Sequence, residues 1–403
     1  MVSRILPVAL VLLGACNAAK PPVSPPAETR TLLSVADATN ANVTLASDGR
    51  SVVAAWAVTA TAGTNIFIAR SDDGGASFSA PRRVNNVDGD ANVNGEAPPR
   101  IALAGQSVQV VWMSKRDGVS SLRSADSADG GVTFTATRRI TPDGVTGARG
   151  WENVALSPDG VVHAVWLDGR NAGAHAESGH GQHGAMRQDI LHATWKGGSA
   201  VTESPIAANV CFCCKTALLA RTDGVIAAWR HIFPGGIRDI AVARSNDGGR
   251  TFGEPVRVSA DNWQIDACPD DGPAIAMDAA GTLHVVWPTM VDNGGRKAMG
   301  IFHATSSDGG RTFSARARVD GGEGSASHPV VTLDAAGRAA VAWDEALDGA
   351  RRVRMRVGDG APVTVSEGRI ASYPSIAVSG GAVIVGWTDQ SNGNSVIRLR
   401  RMS

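Results

Sequence analysis

Asp48-Gly49-Arg50-Ser51-Val52-Val53-Ala54-Ala55-Trp56 reads as a tight turn followed by an apolar run that closes on tryptophan. Segments of this kind recur seven times, ending at Trp56, Trp112, Trp166, Trp229, Trp287, Trp343 and Trp387. The spacings are 56, 54, 63, 58, 56 and 44 residues, and seven of the ten tryptophans occupy this one slot. A period of that length marks a repeat architecture. In most copies a turn such as Asp159-Gly160, Asp223-Gly224, Ala280-Gly281 or Ala336-Gly337 joins two short β-rich runs, so each copy is predicted to be a hairpin. Residues 52–56 are apolar on both faces, and residues 283–287 are interrupted only by His284. Strands packed between neighbouring sheets have this pattern.

Four of the repeats carry a second signature after the tryptophan: Ser71-Asp72-Asp73-Gly74-Gly75-Ala76-Ser77-Phe78, and its counterparts at 127–134, 245–252 and 306–313. Asp73, Asp129, Asp247 and Asp308 are placed to accept bonds from turn amides, the paired glycines to take positive φ, and the phenylalanine to plug the sheet. This octapeptide resembles the Asp-box, or BNR repeat, of sialidase-like propellers. The resemblance implies an all-β propeller in which the boxes are structural and lie on the face opposite the ligand site. Repeats three, six and seven lack the box. The last supplies three strands, near 375–378, 382–387 and 395–400, while residues 30–35 supply one strand without a hairpin. Joining them completes a seventh four-stranded blade and leaves no open edge. Seven blades are therefore expected, against six in true sialidases.

The first fifteen residues have one positive charge, Arg4, an apolar run over 5–13 and small residues before Cys16, the anatomy of a secretory signal. Leu13-Gly14-Ala15-Cys16 resembles the lipobox of bacterial lipoproteins, which implies a lipidated Cys16 and export. Residues 17–29 hold four prolines and read as an extended tether, so the organisation is signal 1–15, tether 16–29 and propeller 30–403. Asn17 after the cysteine favours the outer over the inner membrane. With 38 basic and 38 acidic residues and no basic stripe, nothing points to nucleic acid. A monomer is expected.

Strand order places the loops that lead into each inner strand on the face away from the boxes, and the chemically unusual residues fall there. Cys211, Cys213 and Cys214 precede the inner strand of blade four, and Cys268 holds the equivalent place in blade five. They read either as two disulfides, suited to an oxidising compartment, or as thiolates for a soft metal, with copper as Cu(I) first and zinc next, or as a redox-active disulfide. A glycine-rich loop in blade three adds His175, His180 and His183, with Glu177 and Met186, as candidate metal ligands or as plain polar surface. The sialidase resemblance would assign catalysis to the single tyrosine, Tyr373, with Glu152, Arg100 and Asp168; Arg170, Arg230 and Asp344 also map to this face. The opening Phe/Tyr-Arg-Ile-Pro segment of sialidase domains is missing, and Pro99-Arg100-Ile101-Ala102 is the nearest stretch. The leading expectation is a surface-anchored binding module for a small ligand, glycan or metal. An exo-sialidase or related glycoside hydrolase and an assembly scaffold are the alternatives.

The anchoring expectation is tested by Cys16→Ser, which should release the protein from the membrane fraction or stall its processing; unchanged fractionation and mass would refute it.

Overall fold

In the computed structural model the described residues are 28–116, 118–172, 188–265, 269–391 and 393–403. Every regular element is a β-strand, and the strands form seven four-stranded antiparallel sheets. In six blades the strands pair in chain order, beginning with the inner strands Thr39–Ser47, Arg100–Ala104, Arg149–Leu156, Ala217–Arg221, Ala274–Met277 and Ser325–Leu333. The seventh runs Ala371–Ser379, Ala382–Asp389, Val396–Met402 and, outermost, Thr29–Leu33 from the N-terminal end. Each inner strand contacts the next around the ring, and that of blade seven contacts that of blade one. The expected seven-bladed β-propeller, closed by an N-terminal strand in the last blade, is present.

The tryptophan repeat is explained by where the rings lie. All seven are buried, and each packs against the blade before its own. Trp112 joins Val53, Ile66 and Ile68 of blade one; Trp166 meets Met113 and Leu122 of blade two; Trp229 meets Val165 and Ile190 of blade three. At the closure Trp56 sits in one cluster with Ile384, Ile397 and Leu399 of blade seven and with Leu33 of the N-terminal strand. Five of the indoles also donate a hydrogen bond, for example Trp166 Nε1 to Asp168 Oδ2 at 2.9 Å and Trp287 Nε1 to Asp261 Oδ2 at 2.7 Å. A buried aromatic of this size contributes several kcal/mol of apolar burial.

The boxes behave as predicted. In the first, the amides of Ala76 and Ser77 both donate to Asp73 Oδ1, at 3.0 and 2.9 Å, and the Ser71 and Ser77 hydroxyls close on the same carboxylate. Asp129, Asp247 and Asp308 repeat this set of bonds. The hydroxyl and amide donors hold the Asp73 carboxyl down at about 2, so it serves as a permanent turn anchor. Ser51 Oγ donates to Asp72 Oδ1 at 2.8 Å, which puts the hairpin turns and the boxes at one end of the ring.

Deleting residues 29–33 removes Leu33 and uncovers the ladder edge of Val396–Met402. Calorimetry should show a lower melting temperature, with a loss of at least the roughly 2–5 kcal/mol typical of one buried leucine, and light scattering should show aggregation. A truncated protein as stable as the parent would contradict this mode of closure.

Candidate functional site

At the end away from the boxes, the inner strands of four blades carry a bulge. The register shifts between Ala41 and Thr44, Gly150 and Asn153, Ser327 and Val330, and Ser372 and Ser375. In each bulge the first residue is left-handed: Asn42, Trp151, His328 and Tyr373 have φ between 55 and 63° or, for tyrosine, 54°. Asparagine accepts this region readily, whereas Trp, His and Tyr do so at a cost. The second bulge residue is buried: Val43, Glu152, Pro329 and Pro374. Glu152 thus stands in a slot that is apolar in the other three blades. Burial pushes its carboxyl up to about 7, and neither carboxylate oxygen has a hydrogen-bond partner among the described residues.

Three of these bulge residues, Asn42, His328 and Tyr373, meet in a pit of ≈ 40 Å³ whose lining also includes Gly95, Glu96, Arg100 and Lys215. His328 is the hub. Its Nδ1 lies 2.6 Å from Asp344 Oδ2, its Nε2 lies 2.6 Å from Glu96 Oε1, and its amide donates to Asp271 Oδ2 at 2.5 Å. Asp344 also accepts the Tyr373 amide at 2.8 Å and the Arg351 guanidinium, and Asp271 pairs with Lys215 Nζ at 3.0 Å. Burial alone would lower the imidazole, but the Asp344 and Glu96 carboxylates overrule it and push His328 up to about 10. At neutral pH the ring is therefore a fixed imidazolium.

The Tyr373 ring lies 4.4 Å from the His328 ring, centroid to centroid, and covers Gly95 so closely that a Cβ there would meet the phenol carbons at 2.2–2.4 Å. Burial and the Glu96 and Asp344 charges raise the phenol, so it stays protonated and available as a donor. In the same pit, Glu96 Oε2 is buried without a hydrogen-bond partner among the described residues.

The other expected residues are arranged less simply. Arg100 lines the pit and donates through Nε to the Glu152 carbonyl at 2.9 Å. Asp168 is fully buried beneath Arg149, Trp166 and Arg170, and Arg170 is shared with Glu203. Arg230 is consumed by the carbonyls of Arg238 and Pro288, at 2.9 and 2.8 Å. Arg100, Arg170 and Arg230 therefore do not converge as a carboxylate clamp. His328, Glu96 and Arg351 were not anticipated from sequence. The available signal was the parallel between Ser327-His328-Pro329 and Ser372-Tyr373-Pro374, which occupy the same bulge.

The cysteine segment forms a separate centre beside blade four. The sulfurs of Cys211, Cys213 and Cys214 lie within 4.8 Å of one another, all buried. Cys213 is disulfide-bonded, while Cys211 and Cys214 are free thiols with their Sγ atoms 2.9 Å apart. Three or four thiolates on one ion, as the metal reading would have it, are therefore not on offer in this state. A hydrogen bond from Cys214, with Arg238 and Arg230 nearby, lowers Cys211 to about 6 despite burial, whereas burial and the Cys211 charge raise Cys214. Cys16, Cys268, His175, His180 and His183, with Glu177 and Met186, lie outside the described residues.

The imidazolium gives a testable pH dependence. A histidine held above its ordinary value contributes stability that is complete below about pH 6.5 and is lost as pH rises toward 10. The difference in melting temperature between the parent and His328→Gln should therefore be largest at pH 6 and shrink by pH 10. A constant difference would mean that His328 is neutral in the folded protein.

Sequence comparison matches residues 223–403 to the family described as BNR repeat-like domain. No curated protein matches the chain. Among solved structures, a polysaccharide lyase, Uly1, superposes with a TM-score of 0.53 at 10% identity, covering 89% of each chain. An α-L-arabinanase of Penicillium chrysogenum, crystallised with arabinobiose, gives 0.52 at 12% identity over 76% of this chain and 92% of its own. A protein of unknown function from Dyadobacter fermentans gives 0.51 at 10% identity over 94% and 99%. At such identities the likeness is one of fold. Residues 223–403 match the BNR repeat-like family, and over the whole described chain the four Asp-boxes, the seven blades and the superpositions agree on a β-propeller fold.

Proposed function

We propose that this protein is an extracytoplasmic binding module, held at the membrane through Cys16, whose pit takes the end of a glycan chain. The observation that carries this reading is a buried, unsatisfied carboxylate oxygen beside a phenol in one pit. Among the described residues Glu96 Oε2 is buried without a hydrogen-bond partner, a lack that costs about 1–3 kcal/mol, and the Tyr373 side chain lines the same pit. A sugar answers both, because each of its hydroxyls donates and accepts, and its C–H face suits the Tyr373 ring. A pit of ≈ 40 Å³ has room for a substituent or one ring edge, not for a buried oligosaccharide. Recognition is therefore of a chain end lying across the face. Two propellers of this shape are named as an arabinanase and a polysaccharide lyase, which agrees with a glycan ligand without identifying it.

The same pair favours a second reading, hydrolysis, in which Glu96 takes the phenolic proton, Tyr373 attacks the anomeric carbon as the glycosidic bond breaks, the departing oxygen takes a proton from solvent, and water then cleaves the glycosyl-tyrosine bond. Against it stand the raised phenol and the missing arginine clamp. A panel of sialylated, arabinan and uronate oligosaccharides, assayed by calorimetry and for released sugar, separates the two. Binding without product, weakened about tenfold in Tyr373→Phe as expected for one hydrogen bond, supports the module. Released sugar that vanishes in Tyr373→Phe supports the hydrolase. No binding and no turnover across the panel would overturn both.

A further inference from the structure

The segment Cys211-Phe212-Cys213-Cys214 does nothing for the pit and little for the sheet. It has no regular strand, and the inner strand of blade four begins only at Ala217. Two free thiols at its ends are brought together with 1% of each exposed. Phe212 and Trp151 pack around them, and Arg238 Nη1 donates to the Cys211 sulfur from 3.6 Å. A structural pair of cysteines would be expected to pack against apolar groups alone or to close as a disulfide; this pair is open and has a guanidinium against one of its sulfurs.

We propose that Cys211 and Cys214 form a two-thiolate site for a soft monovalent cation, Cu(I). On binding, the two S–H protons leave and two metal–sulfur bonds form, with no change of oxidation state. The product carries one net negative charge, and the guanidinium of Arg238 beside Cys211 offsets it in a dry site. The disulfide at Cys213 limits the free thiolates of this segment to two. Zinc in structural sites takes four ligands, whereas soft thiolates select Cu(I). With zinc–thiolate bonds of about 2.3 Å as a guide, two sulfurs on opposite sides of one ion must part from their present 2.9 Å. Residues 212–216 belong to no strand, so the sulfurs can part without breaking a ladder.

The test uses the full chain purified anaerobically and titrated with Cu(I) alone against a chromogenic Cu(I) chelator. One Cu(I) per chain is expected, with a thiolate-to-metal band in the ultraviolet. Cys211→Ser and Cys214→Ser should each weaken retention by at least 100-fold while leaving the melting curve of the metal-free protein close to the parent's. Zn(II), titrated in parallel, should be held far more weakly. If either serine variant fails to fold, Arg238→Gln offers a milder probe and should weaken Cu(I) retention without altering the thiol count. Retention unchanged in the folded serine variants, zinc held more tightly than Cu(I), or peptide mapping that finds Cys211 cross-linked to Cys214 in the untreated protein would each overturn the proposal. The last result would assign the pair as a structural disulfide.

Discussion

The constraint on which everything else rests is that each blade's tryptophan is buried by the blade before it. Trp166 is dry only because Met113 and Leu122 of blade two lie over it, and the same dependence runs round the ring to Trp56 against Ile384 and Leu399. A single blade cannot bury its own apolar face, so the repeats are stable only as neighbours. An open array would leave one tryptophan bare and two sheet edges unpaired. The N-terminal strand removes both faults at once, because it pairs the edge of the last blade and brings Leu33 into the cluster that holds Trp56.

Closure of this kind makes the two ends of the ring different places. At one end the chain turns tightly, and self-sufficient Asp-boxes satisfy those turns from within. At the other the inner strands begin, and the bulges there turn four residues to left-handed φ. Strain at a bulky residue persists only where the surroundings over-determine it. Tyr373 is fixed by the bond from its amide to Asp344, by the His328 ring and by the absence of a side chain at Gly95. The pit therefore draws on blades one, two, four, six and seven, with Asp271 of blade five behind it and His328 distributing charge among three carboxylates. Acids and bases in it are nearly balanced, and so hydrogen bonding rather than net charge should govern what it holds.

The cysteine segment shows a different use of the same frame. In blade four the inner strand is short, and the freed residues tuck three sulfurs under Trp151 and Phe212. Burial, which protects thiols from bulky reagents, also makes an unpaired thiolate costly. Arg238 and Arg230 reduce that cost at Cys211, and this electropositive wall is what separates the pair from ordinary apolar filling.

How much of this was legible beforehand follows from how local each feature is. The seven tryptophans, the glycine turns and the four boxes are short-range patterns, and they were enough to determine the propeller, its blade number, the closing strand and the structural role of Asp73, Asp129, Asp247 and Asp308. Tyr373 and Arg100 could be placed on the right face by strand order. Which residues they meet there could not be read. Glu96, Lys215, Asp271, His328 and Asp344 are spread over about 250 residues of chain, and a one-residue bulge decides which side chain of an inner strand faces the axis. The same limit applies to Cys211, Cys213 and Cys214, whose sequence allowed disulfides or thiolates alike. Periodicity, being local, fixes which strands form; the convergence of side chains on the axis and the spacing of sulfurs to within an ångström depend on how seven sheets pack together, and only the closed ring decides that.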